Sequence, residues 1–307
     1  MRSSDRIPEL DGLRTWMIFL VSWYHIWQQS WLTPRIGSLS LDFLVRSGYI
    51  WVDGTILLSA FLLFLPYARH AAGDGPLPDA RSFYRRRVRR ILPSYYCILL
   101  LVFFTIALPW RLYASGPYLV KDLATHFTFT FPFFYDTYVA TPLGAASWTL
   151  AIEVQAYLLF PLLARAVLRR PVLTLGCMIL TTFSFRAWCL WGLQDYTMVV
   201  NQLLNFGDVY ALGILSAILY VRLRQNHARL AEQKKRRLLW ESAATVCFFL
   251  VLWVLLRLLR LQAASSGYPQ LQARQMTLRP AFALCFAGLI LCCSFCLTLF
   301  RKTLLSS

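Results

Sequence analysis

Two residues near the N-terminus, Arg14 and His25, combine a permanent positive charge with an imidazole that exchanges a proton near neutral pH. They stand eleven residues apart in an apolar stretch, and eleven helical residues complete almost three full turns. A helix would therefore place both side chains on one face, about 16 Å apart along its axis. Such a face could hold an anionic group at Arg14 while His25 transfers a proton farther along the helix.

Two carboxylates, Asp53 and Glu153, also fall within apolar stretches. Counted from the expected helix ends, His25, Asp53 and Glu153 lie at one depth, roughly 8 to 9 Å from the same side of the membrane. Each group would be costly if it were buried alone, so we expect the three to converge. A histidine beside a carboxylate suits general acid–base chemistry. Two other interpretations stay open, a polar contact between helices and the proton relay of a transporter.

Composition places the chain among membrane proteins. Hydrophobic residues make up 58% of the 307 residues and charged residues only 15%, and the mean hydropathy is +0.53. A water-soluble domain needs more polar surface than this, so we predict an all-α, polytopic membrane protein. The net charge of +17 does not indicate nucleic-acid binding, because the basic residues stand between apolar stretches, where the positive-inside rule places them.

The hydrophobic pattern predicts about eight transmembrane helices, each long enough for a hydrocarbon core of about 30 Å. They cover residues 12–32, 48–69, 91–109, 148–168, 171–191, 204–221, 239–259 and 280–300. Lysine and arginine are concentrated after the second, fourth and sixth of these, which predicts that the N-terminus and the C-terminus are both cytosolic. One outer loop, with Arg260, Arg274 and Arg279, does not fit this orientation. The loop 111–147 carries an apolar patch and is predicted to be interfacial or re-entrant.

The eight cysteines lie in or beside apolar stretches, where thiols usually pack between helices, so we predict neither disulfides nor a metal site. No small-residue cleavage site follows the first apolar stretch, so no cleavable signal peptide is predicted.

A basic cluster, "FYRRRVRRILPSYY" (Phe83–Tyr96), leads into the third predicted span. Arg87 and Arg90 are three residues apart and share a helix face, and arginine forks suit phosphate groups. The cluster is therefore a candidate site for a phosphorylated cytosolic ligand. Its other interpretation is simple retention of the loop on the cytosolic side.

Four stretches in this order resemble motifs of the acyltransferase-3 family of integral membrane acyltransferases, which O-acylate carbohydrates and related acceptors. "ELDGLRTWMIFLVSWYH" (Glu9–His25) resembles the opening motif, a basic residue followed by ten residues and a histidine. "WVDGTILLSAFLLF" (Trp51–Phe64) is similar to "GVDLFFVLSGFL". "FYRRRVRRILPSYY" is similar to "RxxRIxPxYW", and "SWTLAIEVQAYLLFPLL" (Ser147–Leu163) to "SWSLSVEEQFYLLWPLL".

The resemblance implies an O-acyltransferase that moves an acyl group, by family habit acetyl, from acyl-CoA to a hydroxyl group. His25 would be the catalytic base, supported by Asp53 and Glu153. The donor, acyl-CoA, would be held by Arg14 and by the phosphate contacts of Arg87 and Arg90. We expect three further residues to line the substrate site, namely Trp148, Ser59 and Tyr157.

Departures from the family pattern include Ala60 for the glycine of "LSGFL" and Val154 for the second glutamate of "EEQ". Family members have about ten spans, so residues 1–307 are expected to form one transmembrane domain, shortened or belonging to a longer protein. The expected location is the plasma membrane, and the expected acceptor is a carbohydrate or cell-surface glycan whose identity stays open. The alternatives are a proton-coupled transporter or flippase of a glycolipid or acyl compound, and an inactive shortened paralogue.

Overall fold

The computed structural model describes residues 7–144, 147–230 and 233–301. Helices dominate the described residues, and the only strands among them form a two-residue hairpin, β1 and β2. The elements are α1 (Pro8–Ser30), β1 (Arg35–Ile36), β2 (Leu39–Ser40), α2 (Asp42–Arg46), α3 (Trp51–Ala71), α4 (Ala80–Val102), α5 (Gly116–Phe127), α6 (Tyr135–Tyr138), α7 (Trp148–Arg169), α8 (Pro171–Gly192), α9 (Gly207–Arg229), α10 (Lys234–Ala263), α11 (Tyr268–Cys293) and α12 (Thr298–Phe300).

Within the described ranges, seven helical segments are long and apolar enough to cross a membrane. They cover Gly48–Ala71, Ala80–Ala107, Trp148–Arg169, Pro171–Gly192, Leu203–Arg229, Lys234–Ala263 and Tyr268–Cys293. Each overlaps one of the eight predicted spans, and the chain is an all-α, multi-pass membrane protein. The eighth, α1, has 23 residues but a lower hydropathy, because it carries Arg14, His25 and several polar aromatic rings. It packs against α3 and α11.

Burial separates central helices from peripheral ones. In its most apolar window the segment of α3 is 78% buried, whereas those of α8 and α10 are each 17% buried. The exposed faces of α8 and α10 are apolar, as lipid contact requires. The axes of α3 and α9 approach closely at Gly213, where an added Cβ would lie 2.6 Å from the carbonyl oxygen of Leu57. A small residue is therefore required at this crossing.

The predicted loop 111–147, described up to residue 144, folds into α5, a 3₁₀ turn (Phe131–Phe133) and α6. Its centre is the buried carboxylate of Asp122, which accepts hydrogen bonds of 2.9 Å from the hydroxyl groups of Tyr113 and Thr141. The aromatic rings of this segment pack against α4. The segment thereby presents α6 to the ends of the membrane helices.

Two buried ion pairs hold the centre of the helix bundle. Arg279 of α11 lies 3.1 Å from Asp53 of α3, and both side chains are almost fully enclosed. Arg186 of α8 lies 2.7 Å from Asp208 of α9. The carbonyl oxygen of Asn205 accepts from both arginines, at 2.6 Å from Arg186 and 3.4 Å from Arg279, and so links the pairs.

The sequence interpretation that placed Arg279 in an outer loop was wrong. Helix α11 begins at Tyr268, so the connection from α10 is short and Arg279 lies within the helix, 0% exposed. The predicted span 280–300 began too late because the polar residues before Pro280 suggested a loop. Three of these polar residues, Gln272, Gln275 and Arg279, are buried in the protein interior.

Removal of one partner of the α3–α11 ion pair should destabilise the protein strongly. Arg279→Leu leaves the buried carboxylate of Asp53 without its counter-charge, which costs about 3 to 5 kcal/mol. We expect the thermal unfolding midpoint in detergent to fall on the order of 10 °C. The matched control is Arg274→Leu, an exposed arginine on the same helix.

The double variant Asp53→Asn, Arg279→Leu removes both charges and should recover part of the lost stability. Equal midpoints for Arg279→Leu and Arg274→Leu would contradict the role of the pair.

Candidate functional site

A cavity of about 610 Å³ lies between α1, α3, α7 and α11. The segment before α9 and the end of α6 complete its wall. The lining combines a few charged groups with many hydroxyl, amide and aromatic side chains. Such a composition is typical of a substrate site, where apolar surface provides contact and a few polar groups fix orientation.

The α1 wall of this cavity carries both Arg14 and His25. Their common face follows from the eleven-residue spacing, as the sequence predicted. The position of α1 is fixed by Gly48, because an added Cβ there would lie 2.6 Å from the Cβ of Tyr24 and 2.7 Å from the carbonyl oxygen of Leu20. This close approach brings the start of the α3 segment directly against the part of α1 that carries His25.

The imidazole of His25 is open to solvent and is oriented by an amide. Its Nδ1 lies 3.1 Å from Oε1 of Gln28, while Nε2 of Gln28 donates to the hydroxyl of Tyr24 at 2.9 Å. Because that second bond sets which end of the amide faces His25, Nδ1 carries the proton. In the neutral imidazole, Nε2 of His25 is then the acceptor nitrogen.

Glu153 lies in the cavity wall on α7, one turn before Tyr157. The hydroxyl of Tyr157 donates to Oε2 of Glu153 at 2.9 Å, and Oγ of Ser59 lies 3.4 Å from the same hydroxyl. Trp148, at the start of α7, also lines the cavity, and its ring lies 6.1 Å from that of Phe206. Ser59 and Tyr157 are therefore not lining residues themselves but are connected to the lining residue Glu153 by hydrogen bonds. Trp148 lines the cavity directly.

Asp53 does not join His25 and Glu153. Its carboxylate is 1% exposed and is directed to Arg279 instead of the cavity. Of the three ionisable groups that we expected to converge, only His25 and Glu153 line the cavity. Asp53 is paired instead with Arg279, which the sequence interpretation had placed in a loop. The amide of Gln28 takes the orienting position that we had expected a carboxylate to fill.

The two arginines of α4 occupy different environments. The guanidinium of Arg87 packs on the rings of Phe83 and Tyr157, at 5.6 and 5.3 Å from their centroids. Its Nε is buried and has no hydrogen-bond partner among the described residues. Arg90 is exposed. Arg87 therefore contacts Tyr157, the residue that donates to Glu153, and neither arginine belongs to the cavity lining in the described part of the chain.

Several lining residues escaped the sequence reasoning, among them Gln28, Tyr138 and Gln272. Gln28 stands three residues after His25, a spacing that could have indicated contact on the same helix face. Tyr138 comes from α6, and Asn201 donates a 2.9 Å hydrogen bond to its hydroxyl. Burial raises the pKa of Tyr138 to about 12, so its hydroxyl stays neutral at physiological pH.

Comparison with known proteins identifies the family. The family model described as an acyltransferase domain matches residues 7–307. The chain belongs to the acyltransferase-3 family. The match includes the stretches that carry Arg14, His25 and Glu153, all of which line the cavity.

Individual relatives are distant. ORF330 of Acidianus two-tailed virus, named as an acetyltransferase, is 27% identical over 258 residues, which are 81% of this chain and 64% of that protein. O-acetyltransferase OatA of Staphylococcus aureus is 29% identical over 185 residues, 55% of this chain and 26% of that protein. YrhL of Bacillus subtilis, named as a peptidoglycan O-acetyltransferase, is 30% identical over 168 residues, 51% of this chain and 23% of that protein. The chain thus spans less than two thirds of each relative, and no solved structure matches it.

The open position of His25 predicts its chemical reactivity without any assumption about activity. Treatment of the protein in detergent with diethylpyrocarbonate should modify His25 quickly, because its ring is exposed to solvent. His126 is the internal control, since it is 0% exposed and stacks on Phe131 at 4.2 Å. Peptide mass spectrometry measures both rates. Similar rates for His25 and His126 would contradict the described environment of His25.

Proposed function

We propose that the protein is a membrane O-acyltransferase that moves an acetyl group from acetyl-CoA to a hydroxyl of a carbohydrate. The observation that carries this proposal is that Arg14, His25 and Glu153 all line one cavity of an acyltransferase-family chain. The cavity provides an arginine for an anionic donor, a base for a hydroxyl group and a carboxylate.

His25 would act as general base through Nε2. As the acceptor hydroxyl loses its proton to Nε2, its oxygen attacks the thioester carbonyl and a tetrahedral intermediate forms. When this intermediate collapses, the carbon–sulfur bond breaks and the sulfur of CoA takes the proton from the imidazolium. Gln28 would accept a hydrogen bond from Nδ1 in both steps. Glu153, held by Tyr157, adds the negative charge that stabilises the imidazolium between the two steps.

The donor would arrive from the arginine-rich side of the membrane. Arg14 lies about 16 Å from His25 along α1, so an extended acyl-CoA arm can lie along this wall with its thioester near the imidazole. Arg87 and Arg90 would bind the phosphate groups of CoA, and the unpartnered Nε of Arg87 supports this assignment. No described group of three His, Cys, Asp or Glu side chains could hold a metal ion.

The names of two relatives support the proposal that the acceptor is a glycan. OatA is named as an O-acetyltransferase and YrhL as a peptidoglycan O-acetyltransferase. We therefore propose a cell-envelope glycan as the acceptor and the plasma membrane as the location.

Replacement of His25 tests the reaction directly. With radiolabelled acetyl-CoA and envelope glycan in proteoliposomes, His25→Ala should lower the rate of acetyl transfer by at least 100-fold, because the general base is lost. His70→Ala is the matched control, since His70 lies at the end of α3 and contacts Gly75 outside the cavity.

Undiminished transfer by folded His25→Ala would overturn the role of His25. Flux of a glycolipid driven by a pH gradient, without an acetylated product from the wild type, would favour the transporter alternative.

A further inference from the structure

One wall of the cavity carries amide and hydroxyl groups but no charge. It is formed by the beginning of α11 and by the segment before α9, with Asn201, Tyr268, Gln272 and Gln275. Among the described lining residues, the arginine, histidine and glutamate side chains (Arg14, His25 and Glu153) belong to α1 and α7. The cavity therefore has a reactive side and a neutral side.

Gln272 on the neutral side has an unsatisfied acceptor. Its side chain is 3% exposed, it lines the cavity, and its Oε1 has no hydrogen-bond partner among the described residues. Buried amide oxygens in proteins are nearly always paired, so an unpaired one on a side chain that lines a substrate cavity indicates a ligand that donates a hydrogen bond.

The backbone around Gln272 is held in place. Nε2 of Gln262 on α10 donates to the carbonyl oxygen of Leu271 at 2.9 Å and to the hydroxyl of Tyr49 at 2.6 Å. Two turns farther along α11, Arg279 is bound to Asp53. The backbone at Gln272 is thus held by contacts of α11 to α10 and α3. These contacts fix the point from which the side-chain amide of Gln272 extends toward the cavity. Such rigidity suits selection among the hydroxyl groups of one ligand.

We infer that this wall is the acceptor subsite for an uncharged saccharide, and that Oε1 of Gln272 selects the hydroxyl presented to His25. The inference rests on the proposed function. Saccharides offer hydroxyl donors for the amide oxygen and apolar C–H faces for rings such as Tyr268 and Trp148. An anionic ligand would meet the partial negative charge of Oε1 with no cation on the same wall, so a neutral saccharide is preferred.

The test compares Gln272→Met, similar in length but without an amide, with the wild type in lipid nanodiscs. The probes are four neutral tetrasaccharides (cellotetraose, chitotetraose, maltotetraose and mannotetraose) and tetragalacturonate as the anionic counterpart, each titrated by calorimetry. The wild type should bind at least one neutral tetrasaccharide saturably and should not bind tetragalacturonate. Gln272→Met should raise the Kd for the neutral tetrasaccharide that binds about tenfold, the effect of losing one hydrogen bond to a buried acceptor.

Two further variants separate specificity from folding. Gln270→Met makes the same chemical change on an exposed position of α11 and should bind like the wild type. Gln272→Asn keeps an amide but shortens the side chain by one carbon, which moves the amide oxygen away from the ligand. It should therefore weaken saccharide binding without adding an apolar group. In the acetyl-transfer assay Gln272→Met should raise the KM for the bound saccharide and leave the KM for acetyl-CoA unchanged.

The inference is overturned if no neutral tetrasaccharide binds, if tetragalacturonate binds as tightly, or if folded Gln272→Met and Gln270→Met bind alike. Saccharide binding that depends on Gln272 without acetyl transfer would reject the proposed function and retain the subsite. Acetyl transfer with saccharide binding that is indifferent to Gln272 would reject the subsite and retain the proposed function.

Discussion

The ion pair between Asp53 and Arg279 is the interaction on which the other features of the bundle depend. A single buried charge among apolar helices would be prohibitive, so α3 and α11 must lie where the two side chains meet at 3.1 Å. This requirement aligns the start of α11, with Gln272, against the start of the α3 segment. The α3 segment in turn contacts α1 at Gly48 and so sets the position of His25. The positions of both cavity walls therefore depend on one electrostatic contact, the ion pair between Asp53 and Arg279.

The same pair determines which groups remain available for chemistry. Because Asp53 is paired with Arg279, His25 has no carboxylate as its hydrogen-bonding partner among the described residues and is oriented by the amide of Gln28. A hydrogen bond to one ring nitrogen sets the orientation of an imidazole and the role of its other nitrogen. Glu153 is left as the carboxylate of the cavity lining. The proposed division of labour follows, with Gln28 orienting the base and Glu153 stabilising its charge.

The sequence alone predicted most of the helices and part of the site. Seven apolar stretches coincide with membrane-length helices, because hydropathy is a strong signal over 20 residues. The common face of Arg14 and His25 followed from helical periodicity. The role of Asp53 did not, because periodicity within one helix carries no information about a partner 226 residues away. Arg279 was misplaced for a related reason, since a buried arginine with a carboxylate partner resembles a loop arginine until its partner is known.

Polar residues of α11 illustrate the same limit. Gln272 and Gln275 lowered the apparent hydropathy and moved the predicted span toward the C-terminus, although both side chains face the interior. Residues that serve a polar cavity within a membrane protein weaken the signal by which its helices are predicted. Their position could be recovered only from the packing of α11 against α3, α9 and α10.

The central claim is that the donor lies along α1 with its acyl group beside His25. The most direct measurement is a structure of the protein in nanodiscs with a thioether analogue of acetyl-CoA that cannot transfer its acyl group. The account predicts that the phosphates lie near Arg87 and Arg90, that the arm passes Arg14, and that the acyl carbonyl faces Nε2 of His25 with room for one hydroxyl. An analogue bound outside this cavity, or with its acyl end remote from His25, would contradict the account.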